Sequence, residues 1–275
     1  MLDPLPVSGR RRKLAASHSA KRVTIRRISA PKPYDILANQ LRDGILRGEI
    51  SEGDYLPTER ELVTQTGLSR GSVREALRML AVEGLIQTRH GRTGGNVVKL
   101  PGNDSMASAI ARFVLGRKLS LRTLQETRDA LEPVLARLAA ERRTAEDLEE
   151  LRSLQEHLVA SVDNFQEFSL TNVRWHNAVA KASGNELLSA LLYSISYGVH
   201  VSTMTEEYNT METRQAVIRI HSRINEAIEA SNGDLAERRM REHIGATHAR
   251  TVGQDSAKIP LSASASYSAA AKRAG

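Results

Sequence analysis

The sequence predicts a mainly α-helical chain in two blocks. The N-terminal block closes with a small two-stranded β-ribbon, and the C-terminal block is an antiparallel bundle of helices alone. Three observations carry that prediction. Apolar residues recur at helical spacing almost throughout residues 105–252, broken by short Ser/Gly/Asn turns. Within residues 31–100 the helical patterns are short, with capping residues before them and glycines after them. Between the blocks, Pro101-Gly102-Asn103-Asp104 reads as a linker, residues 101–104.

Composition narrows the function classes. Of 275 residues, 40% are hydrophobic and 26% charged, a soluble globular balance. No apolar run approaches the ~18–20 residues that span a bilayer, and the basic N-terminus lacks the apolar core of a secretory signal. No membrane partner is therefore expected, and a cytoplasmic location is the default. With 0 Cys, disulfides, thiolate metal sites and cysteine nucleophiles are excluded together. The formal charge of +7 resides in residues 1–30, where Arg10, Arg11, Arg12, Lys13, Lys21, Arg22, Arg26 and Arg27 face the single acid Asp3. This aperiodic stretch reads as a disordered basic tail, either a solubilising extension or a non-specific phosphate-binding arm. Residues 253–275, rich in Ser and Ala, read as a flexible tail at the other end.

In the N-terminal block a first helix is expected over Tyr34–Leu46, with Leu37, Leu41 and Ile45 four apart and Gly48 stopping it. Thr58-Glu59-Arg60-Glu61 has the form of a capping box, Thr at N-cap and Glu three residues on. The short helix it opens ends at Gly67. Ser69 then caps a second helix running to about Glu83. Val63, Gly67 and Val73, spaced 4 and 6 apart, suit a tight turn between two helices, with Gly supplying φ > 0. Along the second helix Val73, Ala76, Leu77 and Leu80 make an apolar stripe, while Arg70, Arg74 and Arg78 recur every four residues on another face. With the hydroxyls of Ser69 and Ser72 beside them, these arginines suit entry into a DNA major groove. Alone, the row also fits a solvated basic face; its setting favours DNA.

That setting includes a ribbon. Residues 85–89 and 97–100 are short β patterns flanking His90-Gly91-Arg92-Thr93-Gly94-Gly95-Asn96, a Gly-rich basic tip suited to the minor groove. A nucleotide-phosphate loop is disfavoured, because no Gly-Lys-Ser/Thr follows and no helix starts there. Helix, turn, helix and ribbon together read as a winged helix-turn-helix.

At these residues the chain resembles a known family. Gly48, Gly53, residues 56–62 (Leu-Pro-Thr-Glu-Arg-Glu-Leu), residues 69–77 (Ser-Arg-Gly-Ser-Val-Arg-Glu-Ala-Leu) and His90-Gly91-Arg92 are similar to the DNA-binding domain of GntR-type bacterial repressors. Resemblance to the FadR branch implies operator contacts at Arg60, Ser69, Arg70, Ser72, Arg74, His90 and Gly91, with Arg92 on phosphate. Gly71 stands where that branch often has a hydroxyl or a larger side chain.

The C-terminal block begins with a helix expected over 121–142, where Leu124, Arg128, Leu131, Leu135 and Leu138 fall at spacings of 4, 3, 4 and 3. Arg128 lies inside that apolar stripe, which is costly unless an anion meets it. The anion is either an acid of the same fold or the carboxylate of a ligand. Asn172 and His176 share one helix face. His221 and His243 lie 22 residues apart around the turn Ser231-Asn232-Gly233. If 209–231 and 233–252 form a helical hairpin, equal distances from the turn bring both histidines to one level. Three imidazoles and a side-chain oxygen suit zinc, nickel or a similar divalent ion. A lone histidine on a helix is more often core or surface, the reading given to His157, His200 and His248.

Residues 105–252 also resemble the ligand-binding domain of the FadR branch, in residues 128–133, Trp175-His176-Asn177-Ala178-Val179, Ile220-His221 and Arg239-Met240-Arg241-Glu242-His243. That domain implies an effector-binding helical bundle in which an Asp and three His hold a divalent cation that, with an Arg, binds a small carboxylate. His176, His221 and His243 match the three His, and Arg128 matches the Arg. Asn172 stands where the Asp is usual; its neutral amide oxygen still ligates, but more weakly.

The resulting expectation is a non-enzymatic, ligand-responsive transcriptional repressor. As a homodimer it would bind a pseudo-palindromic operator in double-stranded DNA and release it on binding a small carboxylate effector. Two other classes are weaker. A metal-dependent hydrolase needs a carboxylate base, yet there is no His-Glu-x-x-His and the expected carboxylate position is Asn172. A purely architectural DNA-binding protein would work through the basic tail alone.

Overall fold

The structure, a computed structural model, describes residues 31–89, 91, 94–203 and 210–251. The two expected tails, and His90 and Arg92 of the ribbon tip, lie outside the described residues. In chain order the elements are α1 (Pro33–Leu46), α2 (Glu59–Thr66), α3 (Arg70–Val82), β1 (Ile86–Arg89) and β2 (Gly95–Val98). There follow α4 (Asn103–Arg117), α5 (Leu121–Arg142), α6 (Ala145–Ala160), α7 (Phe165–Ala182), α8 (Glu186–Thr203), α9 (Met211–Glu229) and α10 (Gly233–Thr251). The mainly helical class with one small ribbon is as the sequence predicts. No helix among the described residues is long and apolar enough to cross a membrane.

The apolar stripes of α1–α3 converge on one core. Leu37, Leu41 and Ile45 of α1 meet Leu62 of α2 and Val73, Ala76, Leu77 and Leu80 of α3, closed over by Leu85, Ile86 and Val98. Each large side chain buried this way contributes roughly 1.5–3 kcal/mol. Gly67 ends α2 at φ 70°, and its N–H bonds to Val63 O, so the chain reverses tightly before α3. Val63 packs against the same core that buries Val73.

The ribbon differs in register from the expectation. β1 and β2 pair antiparallel with Arg89 opposite Gly95 and Ile86 opposite Val98. Gly95 and Asn96 thus belong to a strand, while Lys99 and Leu100 do not. Hydrogen bonds supply the reason. Asn96 O accepts from Leu56 N at 2.9 Å, Thr88 Oγ1 bonds Asn96 Oδ1 at 2.9 Å, and Tyr55 bridges to Val97, so the segment before α2 holds the second strand in place. At the tip, a side chain on Gly94 would collide with the Arg89 carbonyl.

Of the expected linker, only Pro101 and Gly102 precede α4; Asn103 and Asp104 form its first turn. Side-chain caps open the long helices: Ser120 for α5, Thr144 for α6, Asn164 for α7 and Thr210 for α9. Their core joins Ala136, Ala139, Leu151, Leu158, Phe168, Trp175, Ile224, Ile228, Met240 and Ile244. On α5 the buried face departs from the expected stripe. Leu131 and Leu138 are only half-buried, whereas Gln125, Arg128, Glu132, Leu135, Ala136 and Ala139 are buried. α5 packs against α10 as well as α7 and α8, so its enclosed face is wider than one stripe and takes in a polar row.

Candidate functional site

Two groups of functional side chains emerge, one on the surface and one buried. The first belongs to α2, α3 and the ribbon. Thr58 Oγ1 accepts from Glu61 N at 3.3 Å, while Thr58 N donates to Glu61 Oε2 at 2.8 Å, so the reciprocal cap fixes where α2 begins and where Arg60 stands. Ser69 Oγ accepts from Ser72 N at 3.2 Å and lies 3.0 Å from Ser72 Oγ, which ties both hydroxyls to the first turn of α3. Arg60, Arg70, Arg74 and Arg78 are all exposed. Arg74 Nε meets Glu59 Oε2 at 2.8 Å, with the two side chains 69% and 42% exposed. So exposed a pair is worth about 0–1 kcal/mol, weak enough for a phosphate or base edge to displace it. Gly91, at φ 120°, is exposed at the ribbon tip.

The second group lies inside the bundle. α7 supplies Trp175 and His176, with Asn172 one turn earlier on the same helix; α9 supplies His221; α10 supplies His243; α5 supplies Arg128 and Glu132. The three imidazoles converge through their Nε2 atoms, with His221 3.1 Å from His243 and His243 3.4 Å from His176. All three are at least 94% buried. Trp175 stacks on His221 at 3.6 Å between ring centres and 12° between planes, and its Nε1 donates to Asn225 Oδ1 at 3.1 Å. Arg128 Nη2 lies 3.4 Å from His176 Nε2, and Arg128 Nε donates to Glu132 Oε1. Glu132 Oε2 lies 2.5 Å from His176 Nδ1.

Electrostatics follow from that enclosure. Burial pushes the His221 imidazole well below its usual range, and His243, His176 and Arg128 push the same way. Burial also lowers His176, with Glu132 resisting. Burial by itself would raise Glu132, but Arg128 and His176 together outweigh it and hold the carboxyl at about 2. His176 and His221 are therefore neutral at pH 7, the form in which imidazole binds a metal.

Two tests of fit to a divalent ion can be made on these atoms. Nitrogen ligands at about 2.0–2.1 Å from one ion, about 90–109° apart, are separated by about 2.8–3.4 Å, and the spacings of 3.1 and 3.4 Å fall in that range. Asn172 Oδ1 is buried without a hydrogen-bond partner, an acceptor still to be satisfied. The residues fit such an ion.

Glu132 was missed by sequence reasoning as a member of this centre. Its signal was present, since it stands four residues after Arg128 on the same helix and meets it as an i,i+4 pair.

Known family profiles match the stretches of chain that hold these two groups. The profile of the bacterial regulatory proteins of the gntR family matches residues 33–94, and the FCD domain profile matches residues 123–246. The chain is 31% identical over 205 residues to the HTH-type transcriptional regulator LutR of Bacillus subtilis, covering 73% of this chain and 92% of that protein. It is 29% identical over 233 residues to the HTH-type transcriptional repressor NanR of Escherichia coli K12, covering 82% and 86%. Among solved structures it is similar to a Streptococcus agalactiae GntR protein, with a TM-score of 0.61 and 27% identity over 78% of this chain and 99% of that one. Motif, fold and relatives agree: the chain belongs to the GntR family of DNA-binding transcriptional regulators, among those whose C-terminal part is an FCD ligand-binding domain.

Proposed function

We propose that this regulator is a repressor released from its operator by a small carboxylate bound in the helical domain. Residues 31–100 form the DNA-binding unit and the helices from α4 onward the effector-binding and dimerisation unit, joined through Pro101 and Gly102. α3 enters the major groove, where Arg70 and Arg74 read base edges and Arg60, Ser69 and Ser72 hold register on the backbone. His90, Gly91 and Arg92 carry the wing. A homodimer places two copies of α3 about 34–36 Å apart on a pseudo-palindrome. Repression is supported by the E. coli relative, which bears that description.

The observation that carries the effector reading is the convergence of three buried imidazoles beside Arg128. His176, His221 and His243, with Asn172 Oδ1, would hold a zinc, nickel or similar divalent ion. The chemistry such an ion supplies is positive charge with open positions for a carboxylate oxygen. Glu132 orients both Arg128 and His176, and by ion-pairing with Arg128 it leaves the direct ligands neutral. The loaded centre therefore carries excess positive charge, and an anionic effector balances it.

Metal analysis of the purified protein, with gel shifts on an operator fragment, tests this. His176→Ala combined with Arg128→Ala is expected to abolish effector release while operator binding persists; normal release in that variant would sink the reading. Deleting residues 1–30 should leave sequence-specific binding in place, whereas loss of all binding would favour the architectural alternative.

A further inference from the structure

Gln125 is fully buried on α5, and neither its Oε1 nor its Nε2 has a hydrogen-bond partner. Among the described residues no other side chain has two such atoms. A buried amide left unpaired at both ends is a standing penalty to the fold, which a leucine or methionine would not incur.

Its position relates it to the centre. Gln125, Arg128 and Glu132 stand at i, i+3 and i+7, on one face of α5. Glu132 meets His176, and ten residues on Arg142 Nη1 donates to Ser183 O at 3.3 Å, so α5 and α7 run in the same direction. One turn before the Glu132–His176 contact stand Arg128 on α5 and Asn172 on α7, whose Oδ1 is also unpartnered. Gln125 lies a turn before Arg128. Gln125 and Asn172 Oδ1 therefore both lie on the N-terminal side of the Glu132–His176 contact along α5 and α7.

We infer that Gln125 is a specificity-determining residue for the effector, and that its carboxamide takes a hydroxyl of a small hydroxylated carboxylate. The inference rests on the effector reading above. A bare carboxylate only accepts hydrogen bonds and leaves Oε1 unpaired; hydroxyl groups both donate and accept, and satisfy Oε1 and Nε2. A site built to bond a hydroxyl discriminates strongly against the analogue that lacks it.

The test uses the full chain and pairs of acids that differ by one hydroxyl: glycolate and acetate, malate and succinate, citrate and tricarballylate. Affinities come from calorimetry and thermal shift on wild type, Gln125→Met, Gln125→Leu and Arg128→Ala. In wild type the hydroxylated member of at least one pair should bind tenfold or more tightly. Gln125→Met should erase that preference, keep the affinity for the unhydroxylated partner, and leave the ligand-free melting temperature no lower. Arg128→Ala should lose both members. Equal affinities within every pair in wild type would overturn the assignment of Gln125, as would a preference that survives both Gln125 variants, which would mean that an ordered water satisfies the amide. Failure of both Gln125 variants to melt cooperatively would mark a structural role and also overturn it. If none of the six acids binds wild type, the carboxylate reading falls and this inference with it.

Discussion

The DNA-binding part displays its polar residues, whereas the helical part hides them. Arg60, Arg70 and Arg74 stand in solvent on short helices whose ends are set by caps within a few residues. Arg128, Glu132, His176 and His221 are buried, and each depends on partners from other helices. A charge in solvent costs little to keep and little to lose, while a charge in the core must be answered by its neighbours. Substitutions of these exposed arginines should therefore change binding without changing stability, and substitutions of the buried charged residues should change both.

The sharpest break of that contrast would come from Glu132→Ala. It leaves the Arg128 guanidinium buried without its carboxylate, and a loss of about 3–5 kcal/mol in chemical denaturation is expected. A loss below ~1 kcal/mol would put the pair in the same class as the surface bridges. Acid probes the same region. Because the folded chain holds His221 well below its usual pKa, the unfolded chain takes up the proton first as pH falls. Metal-free protein should thus melt at progressively lower temperature as the pH drops from about 6.5; a flat melting temperature between pH 7 and 5 would contradict the enclosure of that imidazole.

On the exposed side, Arg70→Ala and Arg74→Ala should each weaken operator binding by about 1–3 kcal/mol, read as roughly tenfold to a hundredfold in gel-shift titrations. Their melting curves should overlay wild type. Parallel loss of stability would show that these arginines serve the fold. The smallest effect belongs to Thr58→Ala, which removes one half of the α2 cap and should cost about 1 kcal/mol; an unchanged denaturation midpoint would mean that the cap is redundant with the packing of Leu62.

The same contrast explains what was legible in the sequence. α2, α3 and their caps were readable because Thr58, Glu61, Gly67 and Ser69 act within four residues of one another. The ribbon register was not, because Asn96 is held by Leu56, forty residues earlier. In the bundle, the equal spacing of His221 and His243 about one turn foretold their meeting. The link from His176 to Glu132 spans two helices and leaves no periodic trace. Gln125 was passed over for a related reason: an isolated polar residue on a long helix is ordinarily on the outside, and only the packing of α10, α7 and α8 around α5 encloses it.

The protein contains a single tryptophan, and that indole lies flat on His221. All tryptophan emission from the chain therefore originates against one imidazole of the buried centre. Protonation or ligation of that ring changes how it quenches its neighbour, so occupancy can be followed by intensity alone, without dye or label, in the same cuvette in which the protein is titrated.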